Sequence, residues 1–159
     1  MNIWTMNKWQ EYYNNHNFRS GLRIRYDKGV DAEVKRAIND FVVWLRQKYT
    51  FPIRVVIYVK ATDRVKARDG EMVCGTFFGP FDKSMEPYIR ISTGDYLELL
   101  EKRGKDNALS SIIWTIPHEL THYYQWLNDL DFSSVGKERQ ANNYANIILD
   151  RYAEIRDHP

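Results

Sequence analysis

Cysteine is almost absent: Cys74 is the single thiol in 159 residues, so no internal disulfide can form, and a reducing, cytoplasmic setting is expected. Its place in an apolar run predicts a packed thiol rather than a nucleophile. Charge of one sign is lacking too, since 23 Lys and Arg stand against 21 Asp and Glu for a net +2. That balance demands neither a nucleic-acid nor a membrane partner, and neither is expected. The basic groups at Arg19, Arg23, Arg25 and Lys28, and at Arg54, Lys60, Arg64, Lys66 and Arg68, read as solvated surface. No apolar run approaches the roughly 20 residues that span a bilayer, and the opening Met1 to Trp9 is too interrupted by polar residues to be a leader. Repeats, low-complexity tracts and Pro/Ser-rich linkers are missing, so residues 1–159 are expected to form one domain, with 1–20 as a helical arm packed on it. With 43% hydrophobic residues the chain can bury a real core.

What is present alternates between strand and helix signals. Trp4, Met6, Trp9, Tyr12 and Tyr13 recur at helical spacing, which predicts a short amphipathic helix over about Thr5 to Asn14; His16 reads as a loop residue. Leu22, Ile24 and Tyr26 alternate with Arg23 and Arg25 as in a half-buried strand. Asp31 can cap a helix whose stripe is Val34, Ile38, Phe41, Val42, Leu45 and Tyr49, and which Pro52 ends. Ile53 to Val59 is nearly all apolar and β-branched, the pattern of a central strand. Two short strands are expected around Met72 to Phe78 and Tyr88 to Ser92, the latter an edge strand because Arg90 and Ser92 alternate with apolar residues. Gly94-Asp95 opens a short helix that Gly104 closes, and Asp106 or Asn107 can cap the next.

That next helix carries His118-Glu119-Leu120-Thr121-His122, an H-E-x-x-H pattern. On a helix it places two imidazoles one above the other with a carboxylate beside the first. Neutral imidazoles on adjacent turns suit Zn²⁺, and the intervening Glu can reach a water on the metal. Ile113, Ile116, Leu120, Tyr123, Tyr124 and Leu127 wind to the opposite side, so the helix has a core face and a separate His/Glu face. Pro117 inside it is expected to bend or split it.

A catalytic zinc takes three protein ligands. Gln125 and Asn128 exclude the H-E-x-x-H-x-x-G-x-x-H subclass. A helix from about Val135 to Ile155 has Glu138 at the head of a face shared with Ala141, Asn142, Ala145, Ile148, Leu149 and Tyr152, and its alanines permit close approach. Glu138 is therefore the candidate third ligand. The plainer reading is a first-turn Glu favoured by the helix dipole, and Asp129 and Asp131 are rivals.

With Glu138-Arg139-Gln140-Ala141-Asn142-Asn143-Tyr144-Ala145 after it, the motif resembles the gluzincin metallopeptidases, most of all the ImmA/IrrE family, over about the last third of the chain. The resemblance implies an α+β, zincin-like fold: a small mixed or antiparallel sheet against a backing helix, the H-E-x-x-H helix, and a following helix that carries the glutamate. It implies His118, His122 and Glu138 as zinc ligands and Glu119 as general base. It also implies a protein or peptide substrate, a transcriptional regulator being one kind. Asn142 is a candidate partner for a ligand, and Trp126 and Thr115 for the substrate pocket. Tyr88, Tyr123, Tyr124 and Tyr144 are candidates to stabilise an oxyanion. Two other classes stay open: a catalytically silent, zinc-braced binding module, and a SprT-like nucleic-acid-associated protease anchored by the N-terminal aromatics.

Overall fold

The computed structural model describes residues 2–13 and 19–159, so the expectation for His16 lies outside the described residues. Along the chain run α1 (Gln10–Tyr13), β1 (Leu22–Tyr26), α2 (Ala32–Lys48), β2 (Val55–Lys60), β3 (Val65–Lys66), β4 (Met72–Val73), β5 (Gly75–Phe78), β6 (Tyr88–Ser92), α3 (Tyr96–Arg103), α4 (Lys105–Leu127) and α5 (Ser134–Ala153). The architecture is α+β. Four strands form a mixed sheet in the order β1-β2-β6-β5, with β1, β2 and β6 parallel and β5 antiparallel to β6; β3 and β4 form a separate hairpin.

The alternation in the strands decides which face meets the core. Leu22, Val55, Ile57, Val59, Ile89 and Ile91 are buried and face α2 and α4, whereas Arg23, Arg25 and Tyr58 are exposed on the other side. The Asp31 side chain accepts from Glu33 N and starts α2, whose Val34, Ile38, Phe41, Val42 and Leu45 pack on the sheet as the backing layer. The Ser133 side chain does the same for α5 by accepting from Gly136 N at 3.1 Å.

Five expectations are corrected. Tyr88–Ser92 is an interior strand between β2 and β5, and β5 is the edge; Arg90 lies on the sheet face that α2 and α4 leave uncovered, and Ser92 is buried with its hydroxyl on Cys74 O. The Met72 to Phe78 run divides at Cys74 between two sheets, and Cys74 is exposed rather than packed. The motif helix begins at Lys105 directly after Gly104, whose φ of 80° closes α3, so neither Asp106 nor Asn107 caps it. Of the bend or split expected at Pro117, the split does not occur, and α4 runs unbroken for 23 residues. Burial on most sides holds it together, and the Thr121 hydroxyl donates to Pro117 O at 2.8 Å.

The N-terminal segment is helical only at Gln10–Tyr13 among the described residues. Ile3 and Trp4 are fully buried against α4 and α5. The Trp4 indole donates to Thr121 Oγ1 at 3.0 Å, and Ile3 N donates to the Tyr144 hydroxyl at 3.2 Å. No helix among the described residues is long and apolar enough to cross a membrane.

Candidate metal centre

Helical geometry stacks His118 and His122 on one side of α4, with ring centroids 5.1 Å apart. Close packing of α5 at Ala141 and Ala145, both fully buried, brings the start of α5 over that side. Glu138 then faces both rings: its Oε1 lies 3.0 Å from His122 Nε2 and its Oε2 3.3 Å from His118 Nε2. The three residues have ligand atoms within 4.8 Å of one another, a group that could hold a metal ion. Tetrahedral zinc with bonds of about 2.0–2.1 Å needs donor separations of about 3.3 Å, and both carboxylate–imidazole distances are close to that. Expected at the head of a buried face, the Glu138 side chain is instead 60% exposed at the mouth of a cleft, which leaves the group open on that side.

Glu119 lies outside this trio. Its carboxylate is buried beside His118, with Oε1 3.8 Å from His118 Nε2. Burial first, and then the negative Glu138, push its pKa up to about 8. Burial and the neighbouring His122 lower the pKa of His118, while Glu138 and the nearby Asn142 oppose that shift. A neutral His118 offers a lone pair, the form a metal needs. Trp114 stacks on His118 with centroids 5.1 Å apart and is itself held by donating to Asn146 Oδ1 at 2.8 Å.

Two features were not foreseen. Gln125, one turn beyond His122 and fully buried, donates through Nε2 to the Lys137 carbonyl at 3.1 Å and to Gln140 Oε1 at 2.9 Å. A backbone carbonyl can only accept, so the amide oxygen must face His122 Nδ1, 2.8 Å away. His122 therefore donates from Nδ1 and turns its other nitrogen, Nε2, toward Glu138. The same amide ties α4 to the residue before Glu138, so one side chain orients one ligand and places another. The second feature is Gly75 on β5. A Cβ there would lie 2.5 Å from Thr115 Cγ2 and 3.1 Å from Glu119 Cγ, so only glycine lets the strand rest on the buried carboxylate.

The cleft has a volume of about 1000 Å³ and runs between β5 and the start of α5. Thr115 and Trp126 line it, and the Trp126 indole donates to Pro80 O at 2.9 Å. Asp129 also lines it but pairs with Lys83 at 3.4 Å, and neither it nor Asp131 joins the ligand group. The tyrosine expectations are corrected. Tyr123 and Tyr124 are core residues whose hydroxyls donate to the Ile53 and Thr50 carbonyls. Tyr144 faces the N-terminal segment, and Tyr88 lies on the sheet face turned away from α4.

Fold and site together define an α+β protein with a two-histidine, one-glutamate group able to hold a metal ion. Comparison with protein-family models, with curated proteins and with solved structures finds no match.

Proposed function

We propose that the chain is a zinc-dependent metallopeptidase of the gluzincin type, with a zincin-like arrangement of sheet, motif helix and glutamate helix. One observation carries this reading: three metal-ligand side chains converge while a fourth, Glu119, is buried beside them without joining them. A purely structural zinc site needs no such bystander and closes its coordination shell. The exposed Glu138 and the cleft beside it argue against closure.

Zinc held by His118, His122 and Glu138 would supply Lewis acidity for attack on a peptide carbonyl. Glu119 is the base in this scheme. It takes the proton from the attacking water on a carboxylate oxygen and returns it to the leaving amine. A nearby cation favours its ionised form, so loading the site counters the raised pKa of the empty pocket. Because β5 is paired on one side only among the described residues, an extended substrate would lie along it by strand addition, in a cleft that Trp126 helps to line. The substrate is a protein, for which a transcriptional regulator is the candidate that the family resemblance supplies.

The test measures bound zinc and peptide-bond cleavage in a mixture of cytoplasmic proteins for the wild type, Glu119→Gln and Glu138→Ala. The first variant should keep metal and lose cleavage, and the second should lose metal. A wild type that takes up no zinc would defeat the proposal.

A further inference from the structure

Helices cover one face of the four-stranded sheet, and the other face carries a pattern that the linear sequence scatters. By strand register, Arg23, Tyr88 and Phe78 fall in one row across it, and Arg25, Tyr58 and Arg90 in the next. The four strands contain four cations and no carboxylate. Arg23 and Arg25 are exposed and make no hydrogen bond or ion pair among the described residues. Lys60 is shared with Asp27 at 3.5 Å, and Arg90 donates to Lys66 O, so the first two are the free charges. The aromatic rings form a continuous group: Tyr58 meets Tyr88 at 6.0 Å and 78°, Phe78 meets Tyr88 at 5.1 Å and 32°, and Arg68 lies over Phe78 at 4.9 Å.

We infer that this face binds single-stranded nucleic acid, with the bases on Tyr58 and its neighbours and the phosphates on Arg23 and Arg25. Charge complementarity selects a polyanion, since these exposed arginines have no internal partner. The aromatic group beside them selects a polyanion whose units carry π-faces, which an acidic peptide lacks and a duplex hides inside its stack. Of the N-terminal aromatics, Trp4 and Tyr13 are buried and Trp9 is half-buried, which leaves Tyr12 as the exposed ring there. Arg23, Arg25 and Tyr58 lie on the sheet face turned away from α4, so their binding does not rest on the peptidase reading, whereas Phe78 and Arg68 also line the metal cleft.

The test is fluorescence anisotropy of labelled oligo-dT and oligo-U of roughly twelve nucleotides, and of a duplex of the same length, with the full chain between about 50 and 200 mM salt. Both single strands should bind more tightly than the duplex, and their comparison shows whether the sugar matters. Arg23→Gln with Arg25→Gln should make the slope of log affinity against log salt shallower by about 1.4, two phosphate contacts at about 0.7 each. Tyr58→Leu should weaken binding about ten-fold with little change in slope. Zinc uptake should match the wild type in both, which shows intact folding. The inference is overturned by no binding at the lowest salt, by equal binding of the duplex with no effect of Tyr58→Leu, by variants that bind like the wild type, or by a poly-glutamate peptide competing as well as the oligonucleotides.

Discussion

Replacing Gln125 by Leu keeps the volume of a fully buried side chain and removes its three polar contacts. The Lys137 carbonyl sits in the first turns of α5 and Gln140 is only half-buried, so loss of their contacts destabilises the metal-free fold by about 1 kcal/mol. His122 suffers more. Without an acceptor at Nδ1 either ring nitrogen can hold the proton, the ring can turn, and α5 is no longer tied beside Glu138. Loss of such an outer contact weakens metal binding about 10- to 100-fold, or about 1.4–2.7 kcal/mol. Competition against a zinc chelator at neutral pH reads this directly, and melting of the metal-free protein provides the control. Nitrogen chemical shifts of His122 should show one tautomer in the wild type and a mixture in Gln125→Leu. An affinity within two-fold of the wild type, with the tautomer unchanged, would refute the positioning role.

Removing the metal exposes a pH effect. The carboxyl of Glu119 has a pKa of about 8 in the metal-free fold against an ordinary value of 4.5. Between those values the folded state binds more protons than the unfolded one, so metal-free stability falls as pH rises from about 4.5 to 8, by on the order of 5 kcal/mol in full. Glu119→Gln should abolish that slope in denaturant titrations with chelator; an identical slope in the variant would contradict the assignment. Zinc at a hundred-fold excess over its dissociation constant should add about 2.7 kcal/mol, or about 5–11 °C in melting temperature, and Glu138→Ala should lose most of that gain. Gly75→Ala places a methyl 2.5 Å from Thr115 Cγ2; it should cost about 1–3 kcal/mol of stability and, by displacing Glu119, lower cleavage more than zinc uptake.

Much of this was legible in the sequence where the signal is local. The stripe and Asp31 cap of α2, the two faces of α4 and the alanines of α5 are periodicities of 3.6 residues, which survive without knowledge of neighbours. His118, Glu119 and His122 follow from spacing alone, and Glu138 from its place relative to Ala141 and Ala145. Strand order is different. Polar alternates at Arg90 and Ser92 fit an edge and an interior strand of a one-sided sheet equally well, and Ser92 proves buried with its hydroxyl on Cys74 O. Gln125 was hidden because its partners are on another helix, although its place three residues after His122 shares the metal face. A glycine inside the strand-like run from Cys74 to Phe78 was a visible hint of close approach at Gly75, but what approaches it is known only once α4 is packed. The arginines and aromatics of the open sheet face lie on β1, β2, β5 and β6, so only register assembles them.

The buried N-terminal segment has a consequence for the order in which the protein is built. Trp4 and Ile3 leave the ribosome well before their hydrogen-bond partners Thr121 and Tyr144, which are 117 and 141 residues downstream. Two large apolar side chains must therefore wait, uncovered, while the sheet and α2 form behind them. Contacts of such sequence separation close late and slowly. Whatever shields residues 2–13 during that interval, or blocks them with a fused partner, controls when the back of the metal-bearing helix is sealed.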